Sequence, residues 1–235
     1  GVDGFRCDFA HIVPSAAWKY LIGRAKGRKA QTWFFAEAYA SPRRFEQLFE
    51  AGFDAIYYDD AYDTLKRVYQ GKAGRDNYRD SLKGIGNHAR QYLLYLENHD
   101  ERRLASPIDV GGDRPDNSGF GSATAARQLA PLQYLATAGP ILLYNGQELG
   151  ETGAGDEGFG GEDGRTSIFD YWSMPSFTAW VGADHSYRDD ALTVQQRALR
   201  NWYGAILRLA QDVSARADTS VWLDGDARLY AVARF

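Results

Sequence analysis

Apolar positions in this chain gather in short strand-like runs at residues 2–7, 32–36, 53–58, 92–96 and 141–144, with Asp3, Arg6 and Asp54 as charged positions within them. A β-prone run without polar alternation reads as a strand buried on both faces. Between the runs the spacing turns helical. Trp18, Leu21, Ile22 and Ala25 share a predicted face after Ser15. Ser41 and Pro42 form a cap and first-turn proline ahead of Phe45, Leu48 and Phe49, with Gly52 as the stop. Leu129, Leu132, Leu135 and Ala136 make another stripe, ended by Gly139-Pro140, and residues 191–211 predict a last helix with Leu199, Trp202, Tyr203, Ile206 and Leu207 inward. Strand alternating with helix predicts an α/β fold with a parallel sheet.

Three strand-like runs lead into acids: Asp8, Glu37 and Asp100. They are spaced by about one and two βα units. Acidic groups at the carboxyl ends of successive parallel strands are what a (β/α)₈ barrel gathers around one mouth. Only five strands can be read where a closed barrel needs eight. The expectation is a partial (β/α)8 TIM barrel, roughly strands 4–8, over residues 1–212. Beyond it, two β runs flank Asp224-Gly225, a hairpin signal. Residues 213–235 are expected to begin a C-terminal β-sandwich domain. Both ends fall inside strand-like runs, so the chain is expected to be part of a longer protein. A half barrel alone would leave an unpaired edge and an apolar inner face, so the expectation for the isolated chain is an inactive or poorly stable fragment. The glycine-rich stretch 150–165 reads as a loop. Its Asp156, Glu157, Glu162 and Asp163 match no calcium-loop spacing.

Composition narrows the partners. The 235 residues carry a net charge of −4, with 25% charged side chains and a pI near 5.6. Nucleic acid and anionic membrane surfaces call for a basic face, so neither is expected. No apolar run approaches the roughly 20 residues of a membrane helix, and no leader pattern opens the chain. Compartment stays open between cytoplasm and a secreted or periplasmic setting. Cys7 is the one cysteine, in an apolar run, and reads as a small buried hydrophobe.

Alternate residues on a strand share a face, so Arg6 should lie beside Asp8. A neighbouring guanidinium favours the ionised carboxylate that a nucleophile requires. Glu37 follows Trp33, Phe34 and Phe35. Apolar surroundings raise a carboxyl pKa and suit a proton donor. Asp100, with Asn98 on its face and His99 beside it, would be a second anion able to stabilise developing positive charge. One carboxyl kept charged and another kept protonated point to work on a glycosidic bond. The alternatives are plain: strand-end acids often cap helices, and Arg6 with Asp8 can be a structural ion pair. A metal site at His11, His99 and the carboxylates is disfavoured, because the histidines lack close pairing and Arg6 opposes a cation; none of these residues is expected to bind metal. A serine hydrolase is disfavoured by the absence of G-x-S-x-G.

The motifs GVDGFRCDFAH, WFFAEAY and YLENHDERR resemble the second, third and fourth conserved regions of the α-amylase family, glycoside hydrolase family 13. GPILLYNGQELGE and GRTSIFDYW resemble its segments around the eighth barrel strand. The resemblance implies a retaining hydrolase of α-1,4-glucans or maltooligosaccharides. It implies Asp8 as nucleophile, Glu37 as general acid/base and Asp100 as transition-state stabiliser. Arg6 would orient Asp8, His99 would bind sugar at the cleavage point, His11 would line the leaving-group side, and Tyr39 would offer a stacking face. The family's first conserved region is not in this chain. No cofactor is implied for these residues, and Ca²⁺ only through that absent region. Transfer to a sugar acceptor, and a non-catalytic carbohydrate-binding role for an amylase-like fold, are the alternative activities.

Overall fold

The computed structural model describes residues 2–107, 120–153, 163–166, 174–216, 220–223 and 230–234. Five strands form one parallel sheet in chain order: β1 (Gly4–Cys7), β2 (Trp33–Ala36), β3 (Ala55–Tyr57), β4 (Tyr92–Tyr95) and β5 (Ile141–Leu142). Each falls inside an apolar run read from sequence. The sheet curls as part of a (β/α)₈ barrel, the architecture the strand and helix alternation predicts. Register sets the faces. Arg6 pairs with Phe35, and Cys7 with Ala36. Phe35, Tyr57 and Tyr95 then form a ladder on one face, with ring centroids 5.4 Å apart at both steps. Phe34, Ile56 and Leu94 point to the other face, buried in the core.

That outer face is covered by α1 (Ser15–Lys26), α2 (Pro42–Glu50), α3 (Asp59–Tyr69), α4 (Arg75–Lys83), α5 (Ala126–Tyr134) and α7 (Val194–Arg216), with the short α6 (Pro175–Val181) before the last. Two helices, α3 and α4, fill the long gap between β3 and β4. Their apolar spacing is masked, because α3 buries Lys66 beside Tyr62 and Leu65, and α4 buries only Tyr78. In α1 the inward stripe is Trp18, Ile22 and Ala25, whereas Leu21, expected inward, faces solvent. Gln133 of α5 is buried and donates to the Tyr95 carbonyl at 3.0 Å, tying helix to strand. Gly139 sits where a Cβ would lie 2.2 Å from the Tyr92 carbonyl oxygen, so only glycine passes this crossing.

β6 (Ser220–Trp222) pairs antiparallel with β7 (Val232–Arg234) in a separate two-stranded sheet. Trp222 and Tyr230 meet Tyr78 of α4 edge-on. The Asp224-Gly225 turn, Asp156, Glu157 and Glu162, and residues 167–172 of GRTSIFDYW lie outside the described residues.

Candidate active site

The carboxyl ends of β1, β2 and β4 bring the expected acids to one rim. The first two are zipped together by backbone. Glu37 N–H donates to the Cys7 carbonyl at 3.0 Å, and Ala10 N–H donates to the Glu37 carbonyl at 2.8 Å. Between them the chain turns sharply at Phe9, whose φ of 44° and ψ of 41° lie in the left-handed region. For a bulky residue that conformation costs about 1–3 kcal/mol. It aims the Phe9 N–H at Glu37 Oε2, 2.9 Å away.

One guanidinium serves both acids. Arg6 Nη1 donates to Asp8 Oδ1, and Arg6 Nη2 lies 3.1 Å from Glu37 Oε2. The two carboxyls differ in environment: the Asp8 side chain is 72% exposed and the Glu37 side chain 3%. Burial pushes the Glu37 carboxyl above the ordinary carboxylate range. The Phe9 N–H and Arg6 pull it partly back, while the negative charges of Asp8 and Asp100 push it up further.

The third acid stands on a turn built by its neighbour. Asn98 Oδ1 accepts from the backbone N–H groups of Asp100 and Glu101 at 2.8 and 2.9 Å. His99 Nε2 lies 3.2 Å from Asp100 Oδ2. Burial holds the His99 imidazole below its ordinary range, with Arg6 pushing the same way against the pull of Asp100 and Asp8. These mutual influences place Asp8, Glu37, Asp100, Arg6 and His99 in one electrostatic neighbourhood.

The rest of the polar run after β4 turns inward. Glu97 Oε1 accepts from Leu104 N–H at 2.6 Å, and Glu97 Oε2 pairs with Arg103 Nη1 at 2.8 Å, both groups buried. Arg103 Nη2 donates to the Asn145 carbonyl, and its guanidinium lies over the Tyr144 ring. Glu101 pairs at 3.2 Å with Lys66, which is fully buried. So part of this cluster faces the rim and part braces the loop from beneath.

His11 and Tyr39 sit beside Glu37. The Tyr39 N–H donates to His11 Nδ1 at 3.4 Å, and their rings meet edge-on at 6.2 Å. Phe9, which sequence reasoning passed over, completes an aromatic trio with centroids 5.4 Å from His11 and 6.4 Å from Tyr39. Its one sequence signal is position, directly after Asp8. Among the described residues, Asp59, Asp63 and Glu101 each offer an oxygen within 4.8 Å of the others. The Lys66 ammonium on Glu101 and the Tyr95 hydroxyl donating to Asp59 already answer that charge, and a lysine opposes a cation. A cavity of about 450 Å³ between Arg127, Leu149 and Thr193 lies elsewhere and has no carboxylate in its lining.

No family model matches the sequence. The chain is similar to α-amylase MalA of Haloarcula japonica, with 30% identity over 161 residues, 66% of this chain and 21% of that protein. It is similar over 57 residues, at 37% identity, to the α-1,4-glucan:maltose-1-phosphate maltosyltransferase of Pseudomonas aeruginosa, covering 24% of this chain and 9% of that one. The solved structure of an α-amylase from Lactobacillus plantarum shares the fold at a TM-score of 0.62 and 22% identity, over 94% of this chain and 47% of that one. The chain therefore spans less than half the length of each.

Proposed function

We propose, starting from this chain's membership of the α-amylase family, that its acidic rim carries out retaining hydrolysis of α-1,4-glucans or maltooligosaccharides. The observation that supports this best is the shared guanidinium: Arg6 contacts an exposed Asp8 and a buried Glu37 at once. Retention needs two carboxyls close together in opposite protonation states. In the first step the Asp8 carboxylate attacks the anomeric carbon, and Glu37 gives its proton to the glycosidic oxygen as that bond breaks. In the second, Glu37, now ionised, takes a proton from water, which attacks the anomeric carbon and releases Asp8. Asp100 lends negative charge to the oxocarbenium-like transition state. His99, held neutral by burial, offers a hydrogen bond to a sugar hydroxyl without adding positive charge to the site.

The test uses the protein at full length on maltotetraose. Asp8→Asn is expected to lower kcat about 10⁴-fold, the scale seen when a member of a catalytic set is removed. The first product detected by proton NMR is expected to be the α-anomer. An initial β-anomer, or equal rates for wild type and Asp8→Asn, ends this reading. The match to a maltosyltransferase favours transfer as a second reading, in which a sugar hydroxyl replaces water in the second step. It predicts products longer than the substrate at high maltotetraose concentration.

A further inference from the structure

Lys66 is a buried charge that the proposed chemistry leaves unused. Its side chain is wholly buried on α3, where an apolar residue of similar size would carry no desolvation penalty. The ammonium is held from two sides. It donates to the Tyr62 hydroxyl at 3.1 Å and to Glu101 Oε2 at 3.2 Å. Tyr62 is fixed in turn: its ring stacks on Tyr95 of β4, with centroids 4.8 Å apart and planes 19° from parallel. The Tyr95 hydroxyl donates to Asp59 Oδ1 at 2.6 Å, in the first turn of α3. Helix and strand are tied at both points, and together they aim a cation at Glu101.

Glu101 directly follows Asp100, and the two move as one. Asn98 Oδ1 holds both of their backbone N–H groups. The turn is therefore pinned by Asn98 through its backbone and by Lys66 through the Glu101 side chain. The Asp100 carboxylate stands on that turn, with 38% of its side chain exposed. We propose that Lys66 is a positioning residue for the reaction: through Glu101 it fixes the aim of the Asp100 carboxylate. The inference rests on the reading of the rim as a glycosidase. Apolar contact fixes a volume, whereas a satisfied, hydrogen-bonded ion pair also fixes a direction. Stabilising an oxocarbenium-like transition state depends on direction, because the charge must already lie where the positive charge develops. That need gives a reason for a lysine where an apolar side chain would fill the space.

The experiment separates aim from stability in the full-length protein. Lys66→Met alone strands Glu101 and endangers the fold, so the test variant is Lys66→Met with Glu101→Leu, which fills the space with apolar groups. It is expected to keep the wild-type circular dichroism spectrum. Its kcat on maltotetraose is expected to fall about 10²-fold with KM within about threefold, the scale of a catalytic group displaced by an ångström. The same two changes are then added to Asp100→Asn, with α-maltosyl fluoride as a substrate whose leaving group needs no proton. There they are expected to alter kcat by no more than about twofold, because the group they aim is gone. A folded variant whose kcat stays within about threefold of wild type overturns the proposal. So does an equal fall with and without the Asp100 carboxylate. Either result leaves the glycosidase reading intact, whereas a wild-type protein that cleaves neither substrate overturns both.

Discussion

Two carboxyls that share one guanidinium differ sharply in exposure, and Glu37 is the buried one. Its raised pKa has a consequence for stability as well as chemistry. A carboxyl whose folded pKa exceeds its unfolded value binds more protons in the native state. Its contribution is complete below the ordinary carboxyl range and is lost as pH rises toward the raised folded value. Glu37→Gln removes that loss. The variant is expected to melt higher than wild type near pH 7.5, with the difference closing near pH 4, while activity collapses; calorimetry across pH checks it. A variant less stable than wild type at pH 7.5 would show that the bonds from Phe9 and Arg6 outweigh burial. The aromatic residues before Glu37 point to a proton-holding carboxyl, but Trp33 is itself exposed. The burial comes from the β1–β2 zipper and the Phe9 turn, and dihedral angles are not written in a sequence.

At the scale of elements, the loop after β4 is held by buried charge. Lys66 of α3 is fully buried against Glu101, with its ammonium 3.1 Å from the Tyr62 hydroxyl. Removing one partner of a buried pair strands the other charge, at roughly 3–5 kcal/mol. Lys66→Met is expected to lose about that much in urea denaturation, and Lys66→Met with Glu101→Leu to recover most of it. If the double variant is no more stable than the single one, the pair is not what α3 contributes. The crossing of β4 and the segment before β5 has no slack. Gly139→Ala puts a methyl against the Tyr92 carbonyl, and is expected to cost about 1–3 kcal/mol by the same measurement.

At the scale of the molecule, β1 forms one edge of the five-stranded sheet, and the apolar groups around it are uncovered in this chain. Val2, Phe5 and Ile12 are exposed, and Phe5 stacks on Phe34. An exposed, hydrophobic edge strand is a template for pairing with another chain. Expressed as these 235 residues, the chain is expected to self-associate in light scattering, and Phe5→Lys to reduce that association. A monodisperse monomer in both cases would mean that this edge is covered from within.

The sequence alone determined the five parallel strands and their order, because strand-like apolar runs, helical spacing and strand-end polarity are properties of neighbouring residues. It also set the acids at strand ends. It did not distinguish which polar residues after β4 face the rim and which are buried braces, since Glu97, Glu101 and Arg103 choose partners on other elements. It hid α3, whose inward face carries a lysine that becomes intelligible only once Glu101 is opposite. And it gave no weight to Phe9. Its role depends on the approach of β1 to β2 and on a left-handed turn between them, long-range geometry that no local pattern encodes.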